Sequence, residues 1–258
     1  NYGALLNSPD RPLINRATQG QYPPASTIKP HLALVGLDSG TIDKQYTIND
    51  TGRYRLPNVA HVWRDWRKWG HGKVNVTKAI EVSCDTFYYD LAYKLGIDKI
   101  NESMTEFGFG DYTGIDLYEE SDGNMPSRGW KRARFNQPWY IGDTIPVGIG
   151  QSFWTATPIQ LTHSINTLVN RGERYIPQII RGYRNLDGTD DLIPLKTSRP
   201  IQINDEKNLD IVLNAMHDVV HGEEGTARFA FADTPYESAG KTGTAQLFTV
   251  GQDEKYNA

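Results

Sequence analysis

"PPASTIKP", residues 23–30, sets a serine and a lysine three residues apart between prolines. Pro30 has no N–H and is tolerated only in the first turn of a helix. A helix through "TIKPHLALVGLDSG" must therefore begin close to Ser26 or Thr27. Leu32, Leu34, Val35 and Leu37 follow as a mostly buried run, and Gly40 reads as its stop. Ser26 then sits where backbone N–H groups lack partners, and Lys29 shares its face. Two readings are open at this point. Ser26 caps a helix and Lys29 is solvated, or Lys29 accepts the proton of a nucleophilic Ser26.

Working outward, "VTKAIEVSCDTFYYDLAYKLG", residues 76–96, is helical in both halves. Ser83-Cys84-Asp85-Thr86 interrupts it, because Ser, Asp and Thr compete for backbone hydrogen bonds. The reading is a short helix, a break at 83–85, a second helix ending at Gly96 and a further short helix over 97–107. "TPIQLTHSINTLVNRG", 157–172, opens with Thr157 as cap, Pro158 at the first position and Gln160 completing a capping box. Residues 206–221 form another helix, with Leu209, Val212, Leu213, Met216 and Val220 on its apolar face. Residues 41–75 and 108–150 read mainly as loop. "YESAGKTGTAQLF", 236–248, reads as a strand whose Gly240 and Gly243 admit a close ligand.

Bulk properties narrow the class. With 258 residues, 38% hydrophobic content and a mean hydropathy of −0.56, the chain has a soluble globular composition. No apolar run approaches the about 18 residues that span a membrane. A net charge of −4 argues against broad nucleic-acid binding. Cys84 is the single cysteine, so an intrachain disulfide is excluded.

Three motifs occur in order: Ser26-Thr-Ile-Lys29, Ser83-Cys-Asp85 and Lys241-Thr-Gly243. S-x-x-K, S-D-N and K-T-G are the motif set of penicillin-binding proteins and class A β-lactamases. Ser238-Ala-Gly-Lys241, Ser8-Pro-Asp10 and Ser164-Ile-Asn166 also fit parts of the set. Only Ser83-Cys-Asp85 falls in a break between helices, from which side chains can turn into a cleft. In this scheme Ser26 attacks a carbonyl carbon, and the backbone N–H groups of Ser26 and Thr244 receive the oxyanion. Ser83 relays a proton between Lys29 or Lys241 and the leaving amine. Lys241 attracts a substrate carboxylate that the hydroxyls of Thr242 and Thr244 bind, with Gly243 between them.

"LNSPDRPLINRATQGQYPPASTIKP" (6–30), "RDWRKWGHGKVNVTKAIEVSCDTFYYDLAYKLGID" (64–98), "GIGQSFWTATPIQL" (148–161) and "AGKTGTAQ" (239–246) carry a resemblance along nearly the whole chain. It resembles the transpeptidase domain of class B penicillin-binding proteins, in the cell-elongation branch of Gram-negative bacteria. Relatives in that branch have Ser-Cys-Asp where most of the superfamily has Asn in place of Asp85. The resemblance implies an α+β fold: a five-stranded antiparallel sheet flanked by helices, joined to a helical lobe. It implies a peptidoglycan D,D-transpeptidase that releases terminal D-alanine and passes the acyl group to an amine on a neighbouring strand. β-Lactams would acylate the same Ser26. It also implies that residues 1–258 are a transpeptidase domain cut at both ends, with the pedestal domain and inner-membrane anchor elsewhere and the catalytic domain in the periplasm. The implied partners are stem peptides and, through other regions, a membrane glycosyltransferase and the cell-elongation machinery.

Asp50, Asp65, His71 and Cys84 have metal-competent side chains, although no CxxC or HxxxH spacing accompanies them. The resemblance implies that they hold one structural zinc. "VWRDWRKWG", 62–70, reads as a packed loop beside the active site rather than a nucleic-acid platform. Two other enzymatic or sensory readings share the acylation step, a serine β-lactamase and a penicillin-sensing receptor domain. Glu120-Ser-Asp-Gly-Asn124 is the stretch that would bear a β-lactamase glutamate.

Overall fold

The proline-fenced stretch folds as a 3₁₀ turn over Ala25–Ile28 that runs directly into a helix over Lys29–Asp38. Pro30 lies in the first turn, and every residue from Lys29 to Leu37 is buried. A helix covered on all sides is a core element rather than an amphipathic surface one. It ends at Ser39, and Gly40 takes φ +69°, a conformation that glycine adopts without a Cβ penalty. In this computed structural model residues 1–245 are described.

The chain divides into two compact units. One consists of residues 23–104, 126–154 and 202 onward, and the other of residues 1–22, 105–125 and 155–201.

In the first unit, the helix Glu206–His221 packs on the Lys29–Asp38 helix and on a short helix over Val76–Glu81. Its buried face is Leu209, Val212, Ala215, Met216, Val219 and Val220. Asp38 fastens its start, accepting hydrogen bonds from Asn204 N (2.9 Å) and Asn208 Nδ2 (2.8 Å). The expected break is present. Val76–Glu81 stops, Ser83 takes φ +56°, and a new helix starts at Asp85. Gly96 (φ 73°, ψ 160°) is non-helical, so that helix ends there as expected and a further helix follows directly to Glu106.

Residues 41–75 are not mainly loop. Thr47–Asp50 pairs antiparallel with Gly72–Asn75, and inside that ladder Arg53–Arg55 pairs with Val62–Arg64. Strands of three or four residues are too short to display alternation, and their pairing is not local. Residues 108–150 likewise hold two helices, Arg128–Phe135 and Ile141–Val147. Ser127 caps the first through its hydroxyl, and Asn136 ends it in the left-handed region. The second was hidden by Pro146 near its end. Leu56, Trp63, Tyr89 and Ile145 form a buried cluster between these segments.

The second unit is organised by the helix Pro158–Val169, which has the expected capping box. Thr157 N donates to Gln160 Oε1 (2.9 Å) and Gln160 N to Thr157 Oγ1 (3.3 Å). Two small antiparallel sheets accompany it, Arg174–Tyr175 with Thr197–Ser198 and Gly182–Arg184 with Asp190–Leu192.

Among the described residues the named strands make two-stranded sheets, so the five-stranded sheet that the resemblance implies is present only in part, as a partial domain implies. One expectation is corrected. The strand expected over 236–248 is absent in its described part, 236–245, and 246–248 lie outside the described residues. A strand exists only by pairing, and this segment's groups go elsewhere. Ser238 N donates to His221 Nε2 (3.2 Å), Gly240 N to Met216 O (3.0 Å), and the Thr242 and Thr226 hydroxyls pair at 2.7 Å.

Candidate active site

Lys29 lies at the junction of the 3₁₀ turn and the helix, so its side chain is carried into the core. The side chain is fully buried, and its Nζ donates to Ser83 O (2.9 Å), Ser83 Oγ (3.2 Å) and Asp85 Oδ1 (2.6 Å). Three acceptors match the three donors of an ammonium group. The ring of Tyr88 lies 5.2 Å below it. Asp85 is shared: its other oxygen accepts from Trp66 N at 3.2 Å. The helix break is what makes this possible, because Ser83 in the left-handed region turns both its carbonyl and its hydroxyl toward Lys29.

Ser26 is half-buried on the 3₁₀ turn, one turn before Lys29. The preceding residue, Ala25, holds φ +51° and donates its N–H to Gly150 O at 2.9 Å. A non-glycine residue in this region carries strain that neighbouring structure must hold in place. Gly150 supplies that hold. A Cβ on it would lie 2.3 Å from Ala25 O, and its own φ is +68°. Gly150→Ala is therefore expected to displace the turn bearing Ser26. Penicillin acylation should slow by at least about tenfold, with a stability loss of about 1–3 kcal/mol. Stopped-flow acylation and thermal melting of the variant check this, and parental values in both would refute it.

Lys241 is half-buried. Desolvation first, and then the charge of Lys29, push its pKa well below the ordinary lysine range, against the opposing pull of Asp85. Its Nζ donates to Thr242 O at 3.0 Å. Gly243 lies so close to the 3₁₀ turn that a Cβ there would meet Thr27 Cγ2 at 2.7 Å. The K-T-G segment is thereby set beside Ser26, with Thr244 exposed. The chain thus brings Lys29, Ser83 and Asp85 into direct contact and sets the third motif against the first. Thr226, His221 and Gly150, which hold these motifs, carry no local sequence signal.

Asp50, Asp65, His71 and Cys84 converge, one ligand atom from each lying within 4.8 Å of the others. His71 Nδ1 is 2.8 Å from Asp50 Oδ2, and Cys84 Sγ donates to the same oxygen at 3.4 Å. Backbone amides orient both carboxylates: Gly52 N and His71 N donate to Asp50, and Arg67 N and Thr86 N to Asp65. Burial, then Asp65 and Asp50, pushes the Cys84 thiol far up. Burial and the charge of Asp85 raise Asp65, with the two amides opposing. Burial also pushes Asp50 upward, but hydrogen bonds from His71 and Gly52 hold it at about 2. His71 Nε2 is buried with no partner among the described residues. Two carboxylates, a thiol and an imidazole crowded out of water are unfavourable without a compensating cation. The donor set of one sulfur, one nitrogen and carboxylate oxygens fits a zinc-like ion in a four-ligand, closed site.

The sequence matches the penicillin binding protein transpeptidase domain over residues 2–258. The chain belongs to this transpeptidase family. It is 48% identical over 259 residues to the peptidoglycan D,D-transpeptidase MrdA of Escherichia coli K12, covering 100% of this chain and 40% of that protein. The chain thus spans about 40% of the length of the curated relatives it matches. Among solved structures it is similar to Pseudomonas aeruginosa PBP2 in complex with WCK 5153, with a TM-score of 0.87, 45% identity, and coverage of 95% of this chain and 55% of that one. It is also similar to Helicobacter pylori PBP2 in a complex with MreC, with a TM-score of 0.84, 32% identity, and coverage of 95% and 44%. The α+β transpeptidase fold is established by these matches, although the described part of this transpeptidase domain contains only small sheets. Glu120 of the transpeptidase domain is engaged within its own unit, accepting from Thr113 N (2.8 Å), Thr113 Oγ1 (2.5 Å) and Gly114 N (3.2 Å). That is a turn-stabilising role, unlike that of a free hydrolytic base.

Proposed function

We propose that this chain carries the acyl-transfer site of a peptidoglycan D,D-transpeptidase of the cell-elongation type, working in the periplasm as part of a longer, membrane-anchored protein with a pedestal domain. The observation that carries the reading is the buried Lys29, bonded at once to Ser83 and Asp85 one turn from Ser26. In the reaction, Ser26 Oγ attacks the penultimate D-alanine carbonyl. The C–N bond to terminal D-alanine breaks, and the Ser26 proton passes through Ser83 to the leaving amine. An amine of a second stem peptide then attacks the ester, and Ser26 regains its proton. Lys29 and Asp85 hold Ser83 in line, and Lys241 with the Thr242 and Thr244 hydroxyls and the close-packed Gly243 takes the substrate carboxylate. A β-lactam enters the same sequence and stops at the ester. The test is peptide mapping by mass spectrometry after exposure to penicillin. The adduct is expected on the peptide containing Ser26, and an adduct elsewhere, or rapid turnover of penicillin, would overturn the reading.

Within the same proposal, Asp50, Asp65, His71 and Cys84 hold one structural zinc ion. Its contribution is to fix the loop around Asp65 against the helix break, since four protein ligands leave no position for water chemistry. Chelation of the full-length protein, or Cys84→Ser, is expected to lower the melting midpoint by roughly 10 °C or more. Elemental analysis of protein prepared without chelator should return one zinc per chain; substoichiometric metal would refute the assignment. The partners proposed are a membrane glycosyltransferase and the cell-elongation machinery, reached through other regions of the protein. The solved complex of H. pylori PBP2 with MreC supports that direction.

A further inference from the structure

The segment 51–73 has a charge opposite to that of the chain. Arg53, Arg55, Arg64, Arg67, Lys68 and Lys73 are all exposed there, and its single acid, Asp65, is buried. The whole chain carries −4. Arg53 and Arg64 stand directly opposite each other across their ladder. Like charges in that register are destabilising by themselves, and Arg55 lies on the same face two residues on.

The aromatic residues divide in the same way. Trp63 is buried in the cluster with Leu56 and Tyr89, but Trp66 is 53% and Trp69 80% exposed. Lys68 Nζ lies 4.9 Å over the Trp69 ring. The backbone that presents these indoles is tightly packed. A Cβ on Gly70 would lie 2.3 Å from Asp50 O, and one on Gly52 would lie 2.3 Å from Lys68 O. Trp66 Nε1 donates to Val82 O (3.1 Å) and Trp66 N to Asp85 (3.2 Å), so the loop abuts the second motif. Exposed indoles on a stiff loop form a preorganised surface, and preorganisation is what keeps the ordering cost of binding low. Arg67 also approaches Glu224 (3.7 Å), whose other partner is Lys78.

Flat aromatic faces interleaved with cations suit a polymer that offers sugar-ring faces and carboxylates together. We propose that the loop 64–70, with Arg53 and Arg55 beside it, is a docking surface for a peptidoglycan strand. Trp66 and Trp69 take ring faces of the glycan, and the surrounding cations take carboxylates of its stem peptides. This rests on the transpeptidase reading, and it extends the binding surface from one peptide to the polymer that bears it. The place of the loop beside Ser83 and Asp85 favours this partner over a lipid surface or a nucleic acid, because a strand held there leaves its peptides within reach of the motifs.

The test is co-sedimentation of the full-length protein with purified sacculi at about 0.05 M and about 0.5 M salt, since surface charge pairs are screened over this range. The variants are Trp69→Ala, Lys68→Glu and their combination, with Trp69→Tyr as the conservative change. The combined variant should bind sacculi about tenfold more weakly at low salt. Trp69→Tyr should restore most of the loss, and high salt should narrow the difference. Retention equal to the parent's would overturn the proposal. So would an equal loss of binding to phosphatidylglycerol vesicles or duplex DNA, since that would mean a general cationic surface. Fluorescent penicillin labelling on the same samples separates the two readings. Failure of the parent protein to label would overturn the acyl-transfer reading, whereas intact labelling with unaltered retention would overturn the docking surface alone.

Discussion

Ser26→Ala is expected to remove covalent penicillin labelling completely. The effect is all or none because the neighbouring hydroxyls are engaged: Ser83 Oγ accepts from Lys29 Nζ at 3.2 Å. Thr27, the neighbouring hydroxyl, is committed to Pro24 O at 2.5 Å. The variant should fold normally. Ser26 is half-buried inside a 3₁₀ turn whose N-cap is Pro24, so its hydroxyl does not cap the turn. Gel fluorescence with a labelled penicillin, paired with a melting curve, checks both halves. Full-stoichiometry labelling of a well-folded variant would move the nucleophile elsewhere.

Asp85→Ala is expected to be the most destabilising change at the site. The Lys29 side chain is fully buried and that of Asp85 is 13% exposed, so removal of the carboxylate strands an ammonium group away from water. Breaking a buried pair in this way costs about 3–5 kcal/mol. Asp85→Asn should cost much less, because an amide oxygen still accepts from Lys29. Urea denaturation of the full-length proteins distinguishes them. A loss below about 1 kcal/mol for the alanine variant would mean that Lys29 finds water or another acceptor there. Penicillin acylation should fall with Asp85→Ala as well, since Lys29 also holds Ser83.

Helix starts were legible because capping is local chemistry. Thr157, Pro158 and Gln160 announce their helix within four residues, and Pro30 dates the start of its own. The break at Ser83-Cys84-Asp85 was legible for the same reason, and its contact with Lys29 gives that break a physical use. The nested ladders at 47–75 were not legible, since three-residue strands are defined by partners elsewhere in the chain. The helix Arg128–Phe135 buries only Lys131, so it leaves no apolar stripe to read. The failed strand at 236–245 shows the opposite error. Its residues suit a strand, but its hydrogen-bonding groups found His221, Met216 and Thr226 instead. Within the site, the chemical groups come in contiguous runs of three or four residues and can be read from the chain. The residues that hold those runs, Gly150 against Ala25 and Thr226 against Thr242, act across distances that no local pattern encodes. Trp69 was expected in a packed loop, and its exposure became visible only once Gly70 and Gly52 had closed the backbone beneath it.

The helix Glu206–His221 touches the helix that carries Lys29 and the one that leads to Ser83, and its last turns tether the segment that carries Lys241. All three motifs are thus referenced to one buried surface, that of Leu209, Val212, Ala215, Met216 and Val219. A change of one methyl group along this seam is expected to disturb all three motif segments together, although none of the residues that line it belongs to a motif.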